Sequence, residues 1–342
     1  MFYHLLFPLR DYLSGLNLFR YISFRAGAAA VTALLLSFVI GPWLIRRLKR
    51  GGVVEEIRKD GPETHFKKAG TPTMGGWIIL PSLLIGTLLF ARLDHPHVWI
   101  VILATIWMGL VGFWDDWLKY RGDKKGLIPR YKLLGQITLG LLIGVVLYFF
   151  PEYFSSQFAE NVTQSTLPFF KNKFLPFAPW GLWPFYILMV VLVITATSNS
   201  VNLTDGLDGL AIGIVGIIAV GMAILAYVTG HIVFSGYLNI VYLPGSGELA
   251  VYCAALVGAA LGFLWFNATP AQVIMGDTGA LALGAGLATV SIIIMKELFL
   301  IMLGGILVAE SLSVLIQRYY FKYTRIKFGQ GRRVFKMAPL HH

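Results

Sequence analysis

Five aspartates of this chain sit beside glycines, amides or each other in places where an isolated charge would be costly. Asp115 and Asp116 are adjacent in Gly112-Phe113-Trp114-Asp115-Asp116-Trp117-Leu118-Lys119, at the end of an apolar run. Asp205 and Asp208 lie in Asn199-Ser200-Val201-Asn202-Leu203-Thr204-Asp205-Gly206-Leu207-Asp208-Gly209, and Asp277 in Met275-Gly276-Asp277-Thr278-Gly279. Carboxylates this close to hydrocarbon are expensive unless paired, hydrated or bound to a cation. At about 4 Å and an effective dielectric near 20, each like-charge pair costs about 4 kcal/mol, which a divalent ion offsets. Oxygen-only donors with no His/Cys set nearby favour Mg²⁺, with Mn²⁺ as the alternative, over zinc. A solvated helix end or an Asx turn accounts for each cluster taken singly. Their recurrence at one level of the chain argues for a shared site.

Basic residues supply the counterpart. Lys67-Lys68-Ala69-Gly70-Thr71-Pro72-Thr73-Met74-Gly75-Gly76 joins lysines, hydroxyls and backbone amides at a helix start, a setting that favours anions such as phosphate. Lys132 follows Arg130 at another helix entrance, whereas Arg46, Arg47, Lys49 and Arg50 are read more simply as enforcing topology. Glu310, Ser313 and Gln317 share one side of the last apolar run and suggest a polar seam facing the bundle.

The elements that must position these groups are membrane helices. The chain is 57% hydrophobic and 13% charged over 342 residues, and runs near the length needed to cross hydrocarbon recur throughout. Nine can be marked: Ala26–Ile45, Met74–Ala91, Val98–Trp114, Leu133–Phe150, Trp183–Ala196, Leu210–Val228, Leu249–Phe266, Ala280–Met295 and Leu298–Ile316. The expectation is an all-α, polytopic helical membrane protein forming one transmembrane catalytic domain over residues 1–342. Arg46 to Lys68, Lys119 to Lys132 and Arg318 to Lys336 hold 21 of the 28 Lys and Arg residues. This places those connections in the cytoplasm and the N-terminus in the periplasm. Ser198 to Gly209 and Asn267 to Gly279 then fall on the cytoplasmic face as loops without Lys or Arg. The first twenty residues read as an interfacial segment without a signal peptide's basic and apolar regions, and the single Cys253 excludes an intrachain disulfide. The stretches Pro151 to Leu182 and Thr229 to Glu248 show no chemistry.

Five motifs, KKAGTPTMGG, GFWDDWLK, NSVNLTDGLDGL, MGDTG and APLHH (Ala338 to His342), occur in this order. The chain thereby resembles the polyprenyl-phosphate N-acetylhexosamine-1-phosphate transferases from about Arg46 to its end, and the last motif points to the phospho-N-acetylmuramoyl-pentapeptide transferases among them. The resemblance implies a multi-pass bacterial inner-membrane enzyme with its active site facing the cytoplasm. It implies transfer of phospho-MurNAc-pentapeptide from UDP-MurNAc-pentapeptide to undecaprenyl phosphate in peptidoglycan biosynthesis, giving lipid I and UMP, with Mg²⁺. Both substrates are anions, and one is a lipid, so cations at a membrane boundary suit the chemistry. Carried over residue by residue, Asp277 is the principal metal ligand, completed by Asp115 and Asp116, with Asp115 positioning or deprotonating the lipid phosphate. Lys68, Thr73, Asn202, Asp205, Gly206, Asp208 and Asn267 contact the nucleotide sugar or order the loops. Lys132, Gln317, His341 and His342 are further substrate-binding candidates. In-line attack on the β-phosphorus is favoured, and a two-step route through an aspartyl-phosphate stays open. Membrane lipids are the surrounding partners, a homodimer is compatible with the chain, and no nucleic-acid partner is expected.

Two departures stand out: Ile274 replaces the family's usual phenylalanine before Met-Gly-Asp, and the family pattern expects a third histidine and a tenth helix beyond His342. Rival readings are a sister transferase moving GlcNAc-1-phosphate, against which the APLHH motif speaks, and a cation-coupled transporter. The latter expects mid-membrane acids and an inverted repeat.

Overall fold

A computed structural model gives the architecture; it describes residues 1–51, 71–122, 126–170, 173–178 and 182–341. The apolar runs become α1 (Ile22–Arg50), α2 (Gly76–Phe90), α3 (Pro96–Tyr120), α4 (Pro129–Phe149), α5 (Trp183–Thr204), α6 (Leu210–Thr229), α7 (Leu249–Asn267), α8 (Gly276–Ile293), α9 (Glu297–Leu303) and α10 (Gly305–Phe328). Among the described residues, seven of these are long and apolar enough to cross a membrane: α1, α3 to α6, α7 with the turn before it, and α8. The 15-residue α2 is shorter, and α9 and α10 form a pair bent by 84°. Exposed Val39, Leu110, Ile217 and Trp265 on the outer faces suit lipid rather than water. The protein is a polytopic helical membrane protein.

Helix α8 is the axis of the bundle. Every residue from Asp277 to Ile293 is buried, so this helix has no solvent or lipid face. It packs against α2, α3, α5 and α6. Its sequence GALALGAGLATVS is dominated by small residues, which let neighbouring backbones come close where lipid offers no hydrophobic drive between helices. Pro at the first turn of α3, α4 and α5 fits the preset φ and the missing donor to helix starts.

Helices outrun their apolar segments at the end that carries the aspartates. α3 continues past Trp114 to Tyr120, so Asp115, Asp116 and Lys119 are helical. α5 continues to Thr204, so Asn199 and Asn202 lie on a helix rather than in the connection expected there. The hydrogen bonds of Asn199 with Gln136 of α4, at 2.9 and 3.2 Å, tie down this polar extension. The one departure from all-α among the described residues is an antiparallel pair, Gln164–Thr166 with Phe174–Pro176. It is held to the turn after α8, where Lys296 Nζ donates to Thr166 Oγ1 (2.6 Å) and Ser165 Oγ to Glu297 (2.5 Å). The N-terminal segment folds into short helical turns, its terminal amine donating to the Leu88 carbonyl at 2.8 Å.

Candidate active site

Neighbours on a helix point about 100° apart, and Asp115 and Asp116 use that divergence. Both are buried. Asp116 turns toward the start of α8 and accepts from the Thr278 amide (2.9 Å), the Thr278 hydroxyl (2.6 Å) and the Asp277 amide (3.2 Å). It thus caps α8 from a different helix, satisfying amides that otherwise lack partners and meeting the positive end of the dipole. Asp115 turns the other way. It pairs with Lys119 Nζ at 2.5 Å, one helical turn on, with Lys132 Nζ at 2.9 Å, and accepts from the Leu127 amide at 2.7 Å.

Asp277 closes the figure from α8. Its Oδ2 meets Lys119 Nζ at 3.2 Å and also pairs with Lys132 Nζ. Two lysines from α3 and α4 therefore bridge two aspartates from α3 and α8. Carboxylate oxygens of Asp115, Asp116 and Asp277 all lie within 4.8 Å of one another. Among the described residues, with Lys119 and Lys132 counted, the cluster keeps one negative charge in excess. Oxygen-only donors at this spacing could hold a hard divalent cation.

Two glycines make the approach possible. At Gly112, a Cβ would collide with the Asp277 carbonyl, so only glycine lets α3 lie against the start of α8. Gly276 has φ of 76°, a left-handed conformation that a side chain disfavours. A Cβ there would also come within 2.9 Å of Asp116 Oδ2 and 3.0 Å of Thr73 Oγ1, which places Thr73 at the rim of the cluster.

The loop residues brace the site rather than line it freely. Asp205 accepts from the Gly276 amide (3.1 Å) and Asp208 from the Ala271 amide (3.2 Å). Asn267, the last residue of α7, accepts from the Gly209 amide and donates to the Val273 carbonyl, both at 2.9 Å. Gly206 sits in the tight turn after α5, its amide on the Thr204 carbonyl, and the Asn202 carbonyl accepts from Asp205 at 3.4 Å. The expectation of free amides at the start of α2 needs correction. The Gly75 and Gly76 amides donate to the Ile274 and Met275 carbonyls at 2.8 and 2.9 Å, so they dock α2 beside α8 instead of waiting for an anion. Lys68 and His342 lie outside the described residues.

Gln317 and His341 belong to another set of contacts. Gln317 accepts from the Val334 and Phe335 amides at 3.0 Å each, and Glu310 accepts from the Leu340 amide at 2.6 Å with His341 Nδ1 at 3.3 Å. The polar seam on α10 therefore anchors the chain's own C-terminal hook, not a neighbouring helix. Lys119 and Thr278 join the site without being among the residues expected from the sequence. Lys119 was signalled by its place four residues after Asp115; Thr278 carried no signal, because a cross-helix cap depends on packing.

Residues 98–295 match the sequence profile of glycosyl transferase family 4. Residues 68–80 match a signature described as phospho-N-acetylmuramoyl-pentapeptide-transferase signature 1. The chain is similar over its full length to proteins named phospho-N-acetylmuramoyl-pentapeptide-transferase. That of Chlorobium limicola is 48% identical, with 100% of this chain and 91% of the relative covered. That of Thermodesulfovibrio yellowstonii is 47% identical at the same coverage, and that of Desulfotalea psychrophila 47% identical over 100% of this chain and 90% of the relative.

Proposed function

The chain belongs to glycosyl transferase family 4, in its phospho-N-acetylmuramoyl-pentapeptide-transferase branch, and from that premise we propose how its buried aspartate and lysine cluster performs the reaction. The enzyme is a phospho-MurNAc-pentapeptide transferase of peptidoglycan synthesis, and lipid I is its product. The donor is UDP-MurNAc-pentapeptide and the acceptor undecaprenyl phosphate, a lipid. A phosphate oxygen of the acceptor attacks the β-phosphorus of the donor, the bond from that phosphorus to the bridging oxygen breaks, and UMP leaves with the electron pair.

The single observation that carries this reading is the square of Asp115, Lys119, Asp277 and Lys132 at the junction of α3, α4 and α8. Two anionic substrates repel each other, and two fixed ammonium groups lower that cost at the moment negative charge builds on the leaving phosphate. The lysines are held by carboxylates and need little reorganisation to turn toward phosphate oxygens. Asp115 faces both lysines and is placed to orient the acceptor phosphate or take its proton. Asp116 accepts from the Asp277 and Thr278 amides and the Thr278 hydroxyl, and so also holds Asp277 in place. Asp277, Asp115 and Asp116 fit Mg²⁺, or Mn²⁺, which supplies Lewis-acid neutralisation of phosphate oxygens when bound. We assign the site to the cytoplasmic face of the bacterial inner membrane, because most Lys and Arg residues cluster in connections at this end of the bundle.

The test is UMP release by the purified protein with undecaprenyl phosphate, UDP-MurNAc-pentapeptide and Mg²⁺. Chelation abolishes release and added Mg²⁺ or Mn²⁺ restores it. Asp277→Ala lowers it by about 10³-fold or more, the scale of losing a principal charge-stabilising group. Equal release by both proteins overturns the site. UDP-GlcNAc in place of the donor gives no release, and a radiolabelled phospho-enzyme trapped without acceptor overturns the one-step route.

A further inference from the structure

We infer that the C-terminal end of α1 carries a binding site for the phosphodiester headgroup of an anionic phospholipid, formed by Trp43, Arg46, Arg47 and Arg50. These four residues line a recess of about 530 Å³. Their spacing of three, four and seven residues puts them on one stripe of the helix, while Leu44, Ile45 and Leu48 are buried against the bundle. The same side of α1 leads down an apolar lane: Leu35 is 56% exposed, Val39 72% and Trp43 54%. The stripe thus runs from aliphatic side chains through an indole to three guanidinium groups, which is the order of an acyl chain, the interface and a headgroup.

Charge points the same way. Helix α1 contains no Asp or Glu. Among the described residues, none of the three guanidinium groups has a carboxylate partner, and Arg47 lies over the Trp43 ring at 5.4 Å from its centroid. Guanidinium forks match phosphate oxygens in pairs of parallel hydrogen bonds, and basic groups beside a membrane surface attract anionic lipids. Helix-dipole and topology effects need only positive charge somewhere near the helix end. Lys49, off the stripe, serves those equally well and is not among the residues lining this recess. The aspartates stand on α3 and α8, whereas α1 packs on α2 and α7. Competition with undecaprenyl phosphate distinguishes a phosphate held here from the reacting ones.

The experiment purifies the full chain from vesicles of equal phosphatidylcholine and phosphatidylglycerol and counts retained lipid by native mass spectrometry. Wild type retains phosphatidylglycerol over phosphatidylcholine by about tenfold or more. The triple variant Arg46→Gln, Arg47→Gln, Arg50→Gln falls to parity, and Lys49→Gln matches wild type. Replacing the three arginines by lysine keeps charge, topology and folding but loses the forks, and lowers the ratio at least about threefold. Undecaprenyl phosphate, added at equal concentration, leaves the bound phosphatidylglycerol in place. Wild-type parity, an unchanged ratio in the lysine variant, or displacement by undecaprenyl phosphate overturns the proposal.

Discussion

Buried charge occurs at both ends of this bundle and is handled in opposite ways. At the end where α1 and α7 begin, Arg25 and Glu248 meet fork to fork at 2.5 and 2.7 Å. The Phe90 carbonyl accepts from Arg25 at 3.1 Å, and Glu248 accepts from the Arg92 amide at 2.9 Å. The two charges cancel, and within this arrangement only Arg25 Nε is left without an acceptor among the described residues. At the other end, where α8 begins, Asp115, Asp116 and Asp277 outnumber Lys119 and Lys132. The first arrangement is closed and holds α1, α2 and α7 together. Among the described residues the second is short of positive charge, and that deficit is what a cation and substrate phosphates can use. Burial of charge alone does not mark a site; burial with an unmet charge balance does.

The sharpest way to break this contrast is Asp277→Asn. The substitution keeps the shape and removes a carboxylate paired with Lys119 and Lys132, so UMP release falls by about 10³-fold, while the thermal midpoint in detergent falls less than in Glu248→Gln, because relief of like charges within 4.8 Å offsets part of the lost pairing. A fall in midpoint as large as that of Glu248→Gln would make the aspartate cluster structural, like its counterpart. Glu248→Gln is the mirror experiment. It leaves Arg25 buried without its counter-charge, at a cost of about 3 kcal/mol or more, read as a lower unfolding midpoint. Activity per folded molecule stays at the wild-type level. Gly112→Ala comes next: its methyl group forces α3 off the start of α8 and costs about 1–3 kcal/mol, with UMP release down about tenfold as the distance from Asp115 to Asp277 grows.

Much of the site was legible because its residue types are conspicuous. Carboxylates at the ends of apolar runs, and lysines at helix entrances, point to Asp115, Asp116, Asp277 and Lys132 from the sequence. The two aspartates of α3 could not be told apart in that way. Adjacent residues share every compositional property, and only the packing of α3 on α8 gives Asp116 to the backbone and Asp115 to the lysines. Helix ends were blurred for a related reason. Asn199 and Asn202 look like loop residues, and the helix that carries them is tied down by two hydrogen bonds between Asn199 and Gln136 of α4, invisible to local pattern. The bend between α9 and α10 was likewise hidden, since Gly304 and Gly305 interrupt an apolar run without ending its hydropathy.

The smallest effect concerns Lys296, just past the end of α8, and it separates closed from open charge by pH. Burial lowers its pKa from 10.5 to about 8, although its Nζ donates to Thr166 Oγ1. An amine whose folded pKa lies below its unfolded one binds fewer protons when folded. Stability therefore rises with pH between about 8 and 10.5, the reverse of what a lysine gaining a carboxylate partner does. Lys296→Met removes that slope, because an apolar chain of similar length needs no desolvation of charge, and the midpoint measured at pH 7.5 and at pH 9.5 then converges. The same pair of measurements on Lys132→Met leaves the slope in place. If the slope survives Lys296→Met instead, the buried amine is already compensated, and the turn after α8 belongs with the Arg25 and Glu248 pair as a closed arrangement.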